Sequence, residues 1–288
     1  MNAVRIGDSW VGEGHPCYVV AEVGINHQGS VDVAKKLIDA AAKAGCNAVK
    51  FQKRTIEVIY TAEELAQPRV NTFGPTNGDL KRGLEFNKDQ YLDLAKHCDA
   101  HVIEFFASPW DIDSAAFLEN LEVPCYKIAS PCLTDDSLLS YIRMKGKPVI
   151  LSTGMSTLEE IDHAVSLLDR ENLIILHCTS TYPTEPAHIN LKCIQTLRDR
   201  YHVPVGLSCH EKGVPITAAS VVLETCMIER HITLDRTMWG SDQAASIEPR
   251  SLERLVRDIR VIEKARGDGH KYVYSAEIPI KKKLRRIG

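Results

Sequence analysis

The chain has 288 residues, 44% hydrophobic and 25% charged, with a formal net charge of -3. That is enough apolar material for one full core, and the lack of a basic stripe argues against a nucleic-acid partner. No apolar run reaches the roughly 18 residues a membrane span needs, and residues 1–17 lack a signal-peptide core, so a cytoplasmic chain with no membrane partner is expected.

Residues 1–17 are Gly-rich and polar, and are expected to form a small hairpin capping one end of the domain. Residues 18–23 read as the first strand, ending in Glu22, Gly24, Asn26 and His27. Residues 31–44 read as a helix, apolar at Val33, Leu37, Ala41 and Ala44 and stopped by Gly45. The second strand, 47–51, ends in Lys50, Gln52 and Lys53. A long polar segment, 54–85, shows no clear period and reads as a functional lid or a locally disordered loop. Alternation then resumes, with helices expected at 88–98, 112–120, 135–143, 158–168 and 191–200. Strands are expected at 102–107, 125–129, 148–151 and 173–176, ending respectively in Ser108, Ser130, Ser152 and the run from His177 to Tyr182.

The most informative stretch is 203–249. Two short apolar runs, 204–207 and 226–228, flank a helical pattern at 214–224 and make a βαβ unit. His210 and His231 should therefore stand at one edge of a parallel sheet, with Asp235 and Asp242 just beyond. The final helix, 251–266, is apolar at Leu252, Leu255, Val256, Ile259 and Ile262, and the tail from Gly267 turns polar and then basic. Nine cysteines, with no C-x-x-C pair, suit reduced core thiols better than a disulfide framework.

Eight strands alternating with eight helical segments imply an α/β fold, a (β/α)8 TIM barrel. The expected division is a hairpin cap at 1–17, one barrel domain at 18–266 and a tail at 267–288. In such a barrel the C-terminal strand ends converge on one mouth. Lys50, Lys127, Ser130, Ser152 and Ser208 there offer two ammonium groups and several hydroxyls, a set suited to a phosphate or carboxylate. The His210/His231 pair, without thiolate spacing, suggests an open site for Mn²⁺, Mg²⁺, Co²⁺ or Zn²⁺. Cys209 could ligate too, but strand alternation turns it away from the mouth and into packing. An open metal position beside an anion pocket suits Lewis-acid polarisation of a carbonyl on a small anionic substrate.

Seven segments carry a family resemblance: AEVGINHQGS at 21–30, AVKFQ at 48–52, KIAS at 127–130, LSTGM at 151–155, CTSTYPT at 178–184, GLSCH at 206–210 and ERHITLDRTMWGSDQAASIEP at 229–249. Together they resemble the sialic acid (N-acetylneuraminate) synthase family, which also holds synthases of legionaminic, pseudaminic and deaminated nonulosonic acids. The resemblance implies a transferase that condenses phosphoenolpyruvate with an open-chain aldose. C3 of phosphoenolpyruvate attacks the aldehyde carbon, water adds at C2, and phosphate leaves by C–O cleavage. It implies that Lys50, Ser108, Lys127, Ser130, Ser152 and Ser208 hold phosphoenolpyruvate. His210 and His231 would bind the metal, usually Mn²⁺, with Mg²⁺ or Co²⁺ as alternatives. Glu22 and Asp242 would handle water or protons, Gln52, Ser180 and Tyr182 would line the site, and the chain would pair as a homodimer.

The chain also departs from the family pattern. Pro131-Cys132 stands where many members have an acidic residue contacting the sugar, Ser180 replaces a common Asn, and Cys209 a common Asp. Gln243 stands for a usual His and Trp239 for a Pro. The antifreeze-like C-terminal domain common in the family, which lends an Arg to the partner subunit, is not in the sequence. A barrel residue or the basic tail (Lys281, Lys282, Lys283, Arg285, Arg286) is expected to stand in, or the acceptor differs from N-acetylmannosamine. The alternatives are a synthase of an eight- or seven-carbon ulosonate, and a barrel without turnover that binds sugar or phosphoenolpyruvate.

Overall fold

In the computed structural model, which describes residues 3–287, eight parallel strands form a single sheet. They are β1 (Tyr18–Gly24), β2 (Ala48–Lys53), β3 (Glu104–Pro109), β4 (Tyr126–Ile128), β5 (Val149–Ser152), β6 (Leu173–Cys178), β7 (Val205–Ser208) and β8 (Met227–His231). The hydrogen-bonded order is β3-β2-β1-β8-β7-β6-β5-β4. The sheet thus wraps round until β3 and β4 lie side by side, and the expected (β/α)8 barrel is what the chain forms. The outer layer runs α1 (Val31–Ala44), α2 (Lys88–Ala100), α3 (Ile112–Glu119), α4 (Asp136–Arg143), α5 (Leu158–Leu167), α6 (Cys193–Tyr201), α7 (Pro215–Ala219) and α8 (Pro249–Arg266).

Local signals set these helices. In α1 the Ser30 side chain accepts the Val33 N–H, and Gly45, at φ 83°, ends the helix in the left-handed region. Between those caps Ala34, Leu37, Ile38 and Ala41 face the sheet. Burying Leu37 and Ile38 contributes about 1.5–3 kcal/mol each. The hairpin Val4–Ile6/Ser9–Val11 sits at the N-terminal end of the barrel, where Gly7 lies against the Glu104 side chain at the start of β3. Among the described residues no helix is long and apolar enough to cross a membrane.

Three expectations need correction. The polar segment 54–85 is not a bare loop: it holds two short helices, Ile56–Ile59 and Ala62–Ala66, a hairpin of Pro68–Asn71 with Gly74–Thr76, and a helix Asn77–Gly83. Its order comes from local caps rather than an apolar stripe, with reciprocal boxes at Thr61/Glu64 and Thr76/Asp79. The helix expected over 214–224 is a short α7 followed by a 3₁₀ turn, Ser220–Leu223. Buried hydroxyls disrupt the α ladder there: Ser220 donates to the Thr217 carbonyl and Thr225 to that of Ser220, both at 2.7 Å. Finally, the eighth strand continues to His231 instead of stopping at Ile228.

That last extension decides which side chains enter the barrel. Alternate residues face opposite sides of a strand, so Glu229 and His231 point inward and Arg230 outward. Arg230 is buried behind β7 and β8, donating to the carbonyls of Glu211 (2.8 Å) and Gly213 (2.9 Å) and to Thr217 Oγ1 (2.8 Å). The Glu211 carboxylate in turn accepts from Thr217 N and Oγ1 at 2.6 and 2.7 Å. This buried, hydrogen-bonded pair pins the turn that carries His210.

Candidate active site

One cavity of about 330 Å³ opens at the C-terminal strand ends. Its lining includes Glu22, Lys50, Gln52, Ser108, Lys127, Ser130, Ser152, Ser180, Tyr182, Ser208, His210, His231 and Asp242, so thirteen residues expected at the site from the sequence meet there. Asp235 does not: it folds into its own turn, accepting from Thr237 N and Oγ1 at 2.8 and 2.7 Å. Cys209 is buried in the core, as alternation requires. A second cleft, of about 290 Å³ at the opposite end of the barrel around Gly14, Arg198 and Glu263, holds none of these residues.

The inner wall is a lattice of charge. Lys50 Nζ lies 2.9 Å from Glu22 Oε2 and 3.5 Å from Glu229 Oε2, and donates to Ser108 Oγ at 3.1 Å. Lys127 Nζ donates to Ser152 Oγ at 2.7 Å and stands 3.8 Å from Glu229 Oε1. Glu229 also accepts from Ser208 Oγ at 3.0 Å. Parallel register brings these together, with Glu22 opposite Lys50 and Ser208 opposite Glu229. Burial opposes charge on Glu229, yet Lys127 and Lys50 overcome it and hold the carboxyl below its ordinary range. Burial would likewise lower Lys50, but Glu22 and Glu229 raise it. In Lys127 burial wins, and its ammonium gives up a proton more easily than a free lysine.

Glu229 is absent from the set expected for the site. It was legible as the residue two before His231, on the same face of the same strand. The rim holds further residues not foreseen: Arg54, whose guanidinium stacks 4.1 Å from the Trp110 ring, and Tyr60 and Lys81 from the 54–85 segment. Glu85 fastens this segment to the barrel, taking Lys53 Nζ at 2.9 Å and Arg54 N at 3.2 Å. Two hydroxyls crowd Gly154, whose N–H donates to Ser130 Oγ at 3.0 Å. A Cβ there would fall 2.1 Å from Ser180 Oγ, so only glycine lets them approach.

The histidine pair occupies the other side of the cavity, with ring centroids 5.3 Å apart and the Tyr182 ring tilted against His210 at 4.0 Å. His210 Nδ1 lies 3.2 Å from the Thr179 carbonyl oxygen, which can only accept, so Nδ1 carries the hydrogen and Nε2 keeps a lone pair. Burial, and then His231, push the His210 ring down to about 3, leaving it neutral as a ligand must be. His231 Nδ1 is buried without a hydrogen-bond partner, 3.8 Å from Asp242 Oδ2. A free lone pair, an orphaned ring nitrogen and a nearby carboxylate fit a divalent ion.

The depressed histidines also make stability depend on pH. His27, stacked 4.1 Å from Phe86, is pushed down to about 3 by burial, as His210 is. Both begin from 6.5 in the unfolded chain, which therefore binds more protons below that pH, and stability rises with pH. Between pH 6.5 and 5 the two should remove about 3 kcal/mol from the unfolding free energy of metal-free protein. Denaturant titrations in EDTA check this, and a midpoint that stays flat over the window contradicts it.

Fold and cavity together define an α/β-barrel enzyme with an anion pocket joined to a candidate metal position. The chain belongs to the NeuB family, whose profile matches residues 37–271. It is 38% identical over 280 residues to N-acetylneuraminate-9-phosphate synthase of Homo sapiens, covering 96% of this chain and 78% of that one. It is also 38% identical over 267 residues to N,N'-diacetyllegionaminic acid synthase of Campylobacter jejuni, covering 90% of this chain and 80% of that one. Among solved structures, the N-acetylneuraminic acid (sialic acid) synthetase of Leptospira borgpetersenii in complex with citrate is similar at a TM-score of 0.86 and 33% identity. That similarity covers 99% of this chain and 98% of that one.

Proposed function

We propose that this enzyme condenses phosphoenolpyruvate with the open-chain form of an aldose to give a 3-deoxy-nonulosonic acid and phosphate. The observation that carries the reading is the single cavity in which Lys50 and Lys127, with their hydroxyl partners, face the His210/His231 pair. The named activities of the human and Campylobacter relatives support the product class.

In this reading Lys50, Lys127, Ser108, Ser130, Ser152 and Ser208 grip the phosphate and carboxylate of phosphoenolpyruvate. Glu229 holds both lysines and Ser208 in place. Two lysines balanced by Glu22 and Glu229 leave the inner wall near neutral, so a phosphate and a carboxylate bring surplus negative charge. His210 and His231 would hold a divalent ion, Mn²⁺ before Mg²⁺ or Co²⁺, that offsets this charge and, when bound, polarises the acceptor aldehyde. Gln52 donates to Glu22 Oε1 at 2.8 Å and orients that carboxylate toward His231, its neighbour in register. Glu22 and Asp242 would take and return the protons of the water that adds at C2. Ser180 and Tyr182 border the acceptor. A homodimer is the assembly expected for a barrel of this kind, and nine free cysteines, eight of them buried, support a cytoplasmic setting.

The acceptor is the open variable. N-acetylmannosamine, mannose, their 6-phosphates, arabinose 5-phosphate and diamino-hexoses, each with phosphoenolpyruvate and Mn²⁺, should separate under mass spectrometry of the ketoacid product. A nine-carbon product from one hexose supports the reading; an eight-carbon product from arabinose 5-phosphate would replace it. Phosphoenolpyruvate binding without turnover on any sugar would favour a binding barrel.

A further inference from the structure

Away from the mouth, α1 and α2 pack side by side and exchange charged side chains. Lys35 Nζ pairs with Asp93 Oδ2 at 2.8 Å. One turn further along, Asp39 Oδ1 stands 2.7 Å from His97 Nε2 and 3.3 Å from His101 Nε2.

The second of those contacts is chemically incomplete. His101 Nδ1 lies 2.9 Å from the His97 carbonyl oxygen, which only accepts, so Nδ1 carries the ring hydrogen. In the neutral ring Nε2 is then a lone pair aimed at a carboxylate oxygen, one acceptor facing another. A second proton or a metal cation resolves that opposition. The arrangement suits the cation: one ligand atom from each of Asp39, His97 and His101 lies within 4.8 Å of the other two. The two imidazoles come from positions four apart, His97 in the last turn of α2 and His101 at its C-cap, with ring centroids 4.5 Å apart. Tetrahedral ligands at zinc–nitrogen bonds of about 2.0–2.1 Å sit about 3.4 Å from one another, which small side-chain rotations reach from here. Asp39 is half exposed, so solvent can complete the coordination.

We propose that Asp39, His97 and His101 form a second metal site, on the outer helical layer, for a zinc-class divalent ion. Two imidazoles and one carboxylate favour Zn²⁺, Co²⁺, Ni²⁺ or Cu²⁺ over the oxygen-seeking Mg²⁺ and Ca²⁺. An ion there ties α1 to α2 and, because it binds the folded arrangement alone, stabilises the fold in proportion to its concentration.

The test counts Zn²⁺ bound by tag-free protein after equilibrium dialysis, for the wild type and for His97→Ala and His101→Ala. All three side chains lie on the surface side of their helices, and His101→Gln serves as a milder variant should either alanine variant lose its helical circular dichroism. Wild type should hold one more Zn²⁺ per chain than each variant. Removing an outer-sphere partner weakens metal binding roughly 10- to 100-fold, so losing a ligand ring should weaken it by at least about 100-fold. Thermal melts should show a Zn²⁺-dependent rise in the wild type that is reduced in the variants. Equal Zn²⁺ counts and equal Zn²⁺-induced shifts in all proteins overturn the site. Because the result is a difference between proteins with the same barrel mouth, it stands or falls independently of the reaction proposed above.

Discussion

Glu229→Gln should leave a chain that folds but turns over at least about 100-fold more slowly, because a displacement of about 1 Å among positioned groups is enough for such a loss. Glu229 is the carboxylate shared by Lys50, Lys127 and Ser208, and for Lys127 it is the only carboxylate within 4 Å among the described residues. Without it, Lys127 faces burial with no carboxylate within 4 Å, and the easier course is loss of its proton. The stability loss should therefore reach at most the roughly 3–5 kcal/mol typical of a broken buried pair. Steady-state kinetics with varied phosphoenolpyruvate, beside denaturant unfolding, separate the two effects. A variant with wild-type kcat and KM would show that Glu229 is only a packing residue.

His210→Ala should reduce turnover further, by about 1,000-fold or more, since Lewis-acid stabilisation is worth several kcal/mol of the barrier. His231→Ala should behave alike, because each removes one ring of a two-ring site. The distinguishing sign is the metal titration: the wild type responds to Mn²⁺ after chelation, and the residual rate of either variant does not. His210 is held by Thr179 and packed against Tyr182, so His210→Asn keeps part of the packing and guards against a folding artefact. Wild-type activity with undiminished metal response in either alanine variant would remove the pair from the metal site.

Most of the barrel was legible because its strands are short apolar runs between helices with the right period. The register of parallel strands then delivers the residues just past each run to one mouth, which is why thirteen separate expectations converge on one cavity. Glu229 is hidden because the apolar run stops at Ile228, so the next three polar residues read as loop rather than as inward, outward, inward. Arg230 shows the other side of that error, since its charge serves the outside of the barrel by fastening Glu211 and the turn behind His210. Asp235 lies near the metal position by its place in the sequence alone, and in the structure its own turn claims it. The 54–85 segment is opaque because four-residue caps and a short hairpin carry its order, and these leave no periodic trace. Arg54, Tyr60 and Lys81 at the rim were hidden with it.

The central claim is a phosphoenolpyruvate–aldose condensation in this cavity. Phosphate release from phosphoenolpyruvate labelled with ¹⁸O at the bridging C2–O position, followed with and without an aldose in the presence of Mn²⁺, tests it most directly. The account predicts release only when a suitable aldose is present, with the label carried away in the phosphate. Release that needs no aldose, or phosphate free of the label, would contradict it.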